Sequence, residues 1–408
     1  VTTYYVSTSG SDTNNGTSLG TPFKTPSKAA TLVNPGDTVY IRGGTYSGTG
    51  ISSSPYIGFF NLTRAGSAVA PITWSNYNGE TVIFDGANNV YPNVGWEVGL
   101  IHFSASAAYN TVTGFTTRWS SGDGIRSDAP FSIIKNCISH NNWWAGIYIG
   151  GNDGLIEDCI QYESGYQNLN GRNYWANNYM WSSGIFIGPN ATVVDGSGRH
   201  VAYRGVIRRC KSFHTWGEGI NLYECSNSTM EDCEVYDNFA VNVYLSDAQN
   251  CVVQRNLIYT TSYSDNFAIG MRPSIGIAMS SEVQVTPTFG TATLQPNNNT
   301  IINNVVSGTC ANFKTFRLGG GWTTASGMLV ANNTFINARQ SANGGNGGTG
   351  ENVTLGGLTF SSSRFANNII IQDDANTICT GAAGITFDHN VFSRTGSTNA
   401  SGTGDYIG

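Results

Sequence analysis

Along the whole chain, short runs of alternating apolar and polar residues are separated by stretches rich in Gly, Asn, Ser and Thr. Alternation with a period of two marks a strand with one buried face. Many runs are near copies: Gly124-Ile125-Arg126, Gly146-Ile147-Tyr148-Ile149, Gly184-Ile185-Phe186-Ile187, Gly219-Ile220-Asn221-Leu222, Asn242-Val243-Tyr244-Leu245 and Gly270-Met271-Arg272. With the aliphatic residues inward, the residues between them point outward. Arg126, Tyr148, Phe186, Asn221, Tyr244 and Arg272 then form one outward column.

A second mark repeats with the first. Lys135-Asn136-Cys137, Glu157-Asp158-Cys159, Arg208-Arg209-Cys210, Glu231-Asp232-Cys233 and Gln254-Arg255-Asn256 lie 22 or 23 residues apart wherever no insertion intervenes. Degenerate copies follow at Asn303-Asn304-Val305, Asn332-Asn333-Thr334, Asn367-Asn368-Ile369 and His389-Asn390-Val391. This repeat predicts an all-β fold, a single-stranded parallel β-helix whose strands stack on their equivalents about 4.8 Å away.

The start of the chain departs from the repeat. Tyr4-Tyr5-Val6 reads as a strand, residues 9–19 as a polar turn, residues 27–33 as a short helix, and Thr38-Val39-Tyr40-Ile41 as a second strand. Such a segment can cover the open end of a coil, whose unpaired edge invites association. We expect residues 1–46 to cap the coil and continue into it, residues 47–397 to form it, and residues 398–408 to be a polar tail or the start of a linker. Two insertions, at 161–183 and 188–203, are expected to wall one side of the outward column.

Composition narrows the function classes. Charged residues make up 11% of the chain, far too few for a surface-charged helical bundle, while 51 glycines suit many turns. A net charge of −6 without a basic run gives a nucleic-acid footprint no support, so no nucleic-acid partner is expected. No apolar stretch is long enough to cross a bilayer, and the polar opening at Val1 fits a processed, secreted or cell-surface bacterial protein acting as a monomer. Cys137, Cys159, Cys210 and Cys233 recur at one repeat position, so they are expected to stack as buried thiols rather than converge on zinc.

The opening Tyr4-Tyr5-Val6-Ser7, with Gly10-Ser11-Asp12, Asn15-Gly16-Thr17 and Gly36-Asp37-Thr38-Val39-Tyr40-Ile41-Arg42-Gly43-Gly44-Thr45-Tyr46, carries a resemblance. It resembles the pectate-lyase-like superfamily of extracellular right-handed parallel β-helices, and is most similar there to the family 9 pectate lyases and the chondroitinase B and alginate lyase group. That superfamily holds calcium-dependent lyases, polymer hydrolases, uronate epimerases and noncatalytic adhesion proteins. The resemblance to family 9 implies several Asp around calcium and a Lys base near an Asp-Asp-Gly rung. The corresponding rung here, His214-Thr215-Trp216-Gly217-Glu218-Gly219, keeps one acid, Glu218, and has Gly217 in place of the other.

The outward aromatic column, flanked by Trp144, Trp175, Trp181, Trp216 and His214, suits pyranose rings, so the expected partner is a polysaccharide or oligosaccharide. Glu224 and Asp247 fall at equivalent positions one rung apart, and Asp237 and Asp265 open the matching segments Asp237-Asn238-Phe239-Ala240 and Asp265-Asn266-Phe267-Ala268. Paired carboxylates are the machinery of glycoside hydrolysis. The leading expectation is therefore a glycoside hydrolase that needs no cofactor and uses Glu218, Glu224, Asp247, Asp237 and Asp265. Arg126 and Arg272 fit an alternative, a lyase in which they clamp a uronate, with Lys211, His214 or Tyr244 as base and Ca2+ assisting. A noncatalytic carbohydrate-binding β-helix is the third reading.

Overall fold

The computed structural model describes residues 1–47, 60–86, 99–120, 122–165, 182–189, 200–261, 274–282, 294–339, 350–394 and 402–408. The chain divides into two compact units, Val1–Phe186 and Ile187–Gly408, with the boundary inside the strand Ser182–Ile187.

In the first unit each rung supplies three short strands. One rung runs through Ile133–Lys135, Ile138–His140 and Ile147–Ile149, and the next opens with Leu155–Glu157 and Ile160–Tyr162. Every strand pairs in parallel with its equivalent: Ile133 faces Leu155, Ile138 faces Ile160, and Ile125 faces Ile147. Three ladders result, and that containing Ile147–Ile149 is termed the groove sheet below. At the N-terminus Thr3–Val6 pairs with Thr38–Ile41. The helix is Pro26–Ala30, opening one residue before the predicted start, where Thr25 caps it by accepting from the Lys28 amide, and ending three residues before the predicted end. Its buried Pro26, Ala29 and Ala30 lie where it meets Phe60–Leu62, the first strand of the groove sheet.

The second unit repeats the plan with Val206–Arg208, Lys211–Phe213 and Gly217–Tyr223, then Thr229–Glu231, Glu234–Tyr236 and Val241–Ser246. The predicted Gly270-Met271-Arg272 rung is corrected here. The next groove strand is Ile275–Glu282, and Ala278 is the residue that faces Tyr244. Inside this unit Phe313, Phe335, Phe365 and Phe387 form a ring stack with centroid steps of 6.2, 6.3 and 5.3 Å.

The repeated anchors mark a tight turn. Asn136, Asp158, Arg209, Asp232, Arg255, Asn303, Asn332, Asn367 and His389 all adopt left-handed backbone, with φ between 50° and 58°. Asn and Asp tolerate that region best, which explains their prevalence there. The residue after each turns inward. All eight cysteines are buried free thiols, including Cys137, Cys159, Cys210 and Cys233, the four for which the repeat predicts it. In the second unit the position passes from Cys233 to Asn256, Asn304, Asn333, Asn368 and Asn390, where each side-chain oxygen accepts from the backbone amide one rung earlier at 2.9–3.0 Å. Asp405 ends the ladder by accepting from the Asn390 amide at 2.7 Å.

Candidate functional site

The corner leading into the groove sheet leaves no space for a side chain. A Cβ on Gly219 would lie 2.4 Å from Asn238 Nδ2 and 2.6 Å from Asn242 O. Beyond that corner the strands of the second unit alternate, with Ile220, Leu222, Val243, Leu245, Ile277, Met279 and Phe313 fully buried. Their outward neighbours form two columns. Asn221, Tyr244, Ala278 and Lys314 face one another across successive rungs, and so do Tyr223, Ser246, Ser280 and Phe316. The Tyr244 and Phe316 rings stack with centroids 6.0 Å apart.

An acid row follows these columns. Glu224 and Asp247 sit at equivalent left-handed positions just past Tyr223 and Ser246, as the sequence register requires. Burial, together with the charge of Asp247, pushes the Glu224 carboxyl up to about 8. Burial raises Asp247 to about 7, against the pull of the Glu282 amide at 2.9 Å and the Ser281 hydroxyl at 3.2 Å, both of which donate to it. Glu282 Oε1 in turn accepts from the Tyr244 hydroxyl and, at 3.0 Å, from Ser280 Oγ. Burial and the Glu282 charge hold the Tyr244 phenol well above its ordinary range, so it remains a donor. Glu218 pairs with Val241 and is buried, and its charge also reaches Tyr244. The arrangement can retain protons near neutral pH beside a face carrying rings and one ammonium group.

The groove column of the first unit has the predicted order but not the predicted exposure. His102, Arg126 and Tyr148 are in register, and the Phe186 ring lies 5.0 Å from that of Tyr148. Tyr148 is only 3% exposed. Arg126 is no uronate clamp here, because Asp128 accepts from Nε at 3.1 Å and Nη2 at 3.0 Å, while Asp123 accepts from Nη1 at 3.3 Å. Its guanidinium also lies 4.2 Å from the Tyr148 ring centre. His102 Nε2 completes this cluster, 2.9 Å from Asp128. Burial raises the Asp123 carboxyl to about 7 despite Arg126.

Asp237, Trp216 and Lys211 serve the scaffold. Asp237 accepts from the Thr261 amide at 2.8 Å, a bond to the turn of the next rung, and His214 lies 3.9 Å from it. Trp216 is 1% exposed and stacks on Phe239 at 3.9 Å, so it is a core residue and no sugar platform. Tyr244, at 7% exposure, is likewise more enclosed than an open column implies. Lys211 lies on a different sheet and pairs with Glu234 at 2.8 Å, which removes it as a base facing the groove. Trp144 is half-buried. Asp265, Arg272, Trp175 and Trp181 fall outside the described residues.

Glu282, Lys314, Phe316 and Trp322 were not singled out from sequence. The missed signal is Gly276-Ile277-Ala278-Met279, a closer copy of Gly219-Ile220-Asn221-Leu222 than the run containing Arg272. As for a metal, no three His, Cys, Asp or Glu side chains converge to hold an ion among the described residues. Asp247 already spends its oxygens on the Glu282 amide and Ser281. These residues therefore do not make a preformed calcium cage.

Fold and columns together define a parallel β-helix. The profile described as "Pel9A-like, right handed beta helix region" matches residues 4–238, and the chain belongs to that family. A curated relative, pectate lyase PEL9 of Emericella nidulans, is 38% identical over 82 residues, covering 20% of this chain and 18% of its own length. Among solved structures, rhamnogalacturonan lyase aligns with TM-score 0.60 at 16% identity over 100% of this chain and 87% of that one. Pectate lyase Pel9A aligns with TM-score 0.50 at 16% identity, covering 92% and 79%. The alginate lyase of Paenibacillus sp. str. FPU-7 aligns with TM-score 0.53 at 18% identity, covering 81% and 95%. At these identities the structural likenesses show the fold.

The glycoside-hydrolase expectation is overturned by this family membership, since the relatives on which it rests carry the names of lyases. They come from both a fungus and a bacterium, so the expected bacterial origin does not follow from the family. No helix among the described residues is long and apolar enough to cross a membrane.

Proposed function

We propose that the chain is a polysaccharide lyase that cleaves a uronic-acid polymer by β-elimination on the groove sheet of its second unit. The observation that carries this reading is Lys314, which stands in the outward column next to the small Ala278 and two rungs from Tyr244. Elimination needs the uronate carboxylate neutralised so that the adjacent C5 proton becomes acidic, a base that takes this proton as the 4,5 double bond forms and the C4–O4 bond breaks, and a proton for the departing O4. The half-buried Glu282 carboxylate, which accepts from the Tyr244 hydroxyl, serves as that base. Lys314 supplies the positive charge for the carboxylate. Tyr244, kept protonated by burial and Glu282, supplies the donor for O4. Tyr223 and Phe316 offer apolar surface to the sugar rings.

Family membership supports elimination over hydrolysis. The names of the relatives nominate pectate, alginate and rhamnogalacturonan as polymers to try. Calcium enters as an added reagent in those assays, because the described acids form no cage for it. Lys314→Met is expected to lower kcat/KM by about 100-fold or more, with Lys314→Arg recovering part of the loss. Unchanged turnover in Lys314→Met removes Lys314 from the reaction.

A further inference from the structure

The turn after the groove strand Ala311–Leu318 carries Leu318-Gly319-Gly320-Gly321-Trp322 and presents a large indole at its end. Trp322 is 46% exposed, whereas Trp74 and Trp216 are fully buried. Two restraints fix this turn against the neighbouring groove strand and a third ties it to its own. The Trp322 amide donates to Ser281 Oγ at 2.8 Å, and the same buried hydroxyl donates to Asp247 at 3.2 Å. Arg317 Nε donates to Gly321 O at 2.6 Å. Gly321 itself presses on that strand so closely that a Cβ would lie 2.4 Å from Ser281 O.

Exposing an indole leaves apolar surface in water, and tethering its backbone removes freedom that a merely solvated turn would keep. Both features are those of a preorganised binding platform. One hydroxyl, Ser281, joins this platform to the acid row. We infer that Trp322 is a sugar-stacking subsite, taking the apolar face of a pyranose ring of the bound uronic-acid polymer beside the Asp247 and Glu282 end of the groove. This rests on the lyase reading for the class of polymer, but binding and cleavage are tested apart.

Affinity electrophoresis in gels containing polygalacturonate or alginate reads binding without turnover. Against the polymer that retards the wild type, Trp322→Ala is expected to lose about tenfold in affinity and Trp322→Phe less, with thermal midpoints unchanged. Arg317→Ala, which keeps the indole but frees the turn, should fall between them. Trp322→Ala retarded like the wild type overturns the subsite even if unsaturated products form. A wild type retarded by neither polymer overturns it as well. Loss of retardation in Trp322→Ala without unsaturated product from the wild type upholds the subsite and rejects the lyase reading.

Discussion

At the scale of single residues, the acid row sets a measurable pH dependence. Glu224 and Asp247 titrate in the folded protein at about 8 and about 7, above their ordinary values near 4. Between those limits the folded chain binds more protons than the unfolded one, so stability is fully present below the ordinary values and declines as pH rises through 7 and 8. Glu224→Gln cannot ionise and should flatten this decline, measured as thermal midpoint against pH from 4 to 9. A slope equal to that of the wild type contradicts the assigned burial. The register that places Glu224 over Asp247 was legible in the sequence, because strand alternation and the Cys-to-Asn anchors fix it. Their protonation was not, since it depends on burial by neighbouring rungs. For the same reason Arg126, which sequence offers to a substrate, is found enclosed by Asp123, Asp128 and Tyr148.

At the scale of the elements, the inward ladder joins the apolar core in holding successive turns in register. Asn304 accepts from Asn256 N and Nδ2 at 3.0 and 2.9 Å, and donates to Val253 O and Asn333 Oδ1 at 3.0 Å each. Asn304→Ala would strand buried partners on both sides, for a loss of about 2–4 kcal/mol in denaturant unfolding. A loss under about 1 kcal/mol would mean that water or rearrangement replaces the ladder. The anchors were readable because the left-handed turn before each one selects Asn or Asp, and the interior after it admits only small or self-satisfying side chains. Where insertions lengthen a rung, spacing no longer fixes the strand. That is why Ile275–Glu282 was displaced to residues 270–272, and why Glu282 and Lys314 went unnoticed.

At the scale of the whole molecule, family and architecture agree, and the chemistry follows from which sheet faces outward with which residues. The N-terminal motif and the repeats identified the β-helix and its relatives directly. Function was harder to read, because clustered acids look alike in sequence whether they attack a glycosidic bond, retain protons or tie turns. Asp237, bound to Thr261, shows the last of these. The most direct test of the central claim is the mass and ultraviolet absorbance of the products from polygalacturonate, alginate and rhamnogalacturonan, with calcium and with chelator. The account predicts oligosaccharides with a 4,5-unsaturated nonreducing end, absorbing in the ultraviolet and containing no added water, their formation reduced by Lys314→Met. Products that each gain one water, without that absorbance, would contradict it.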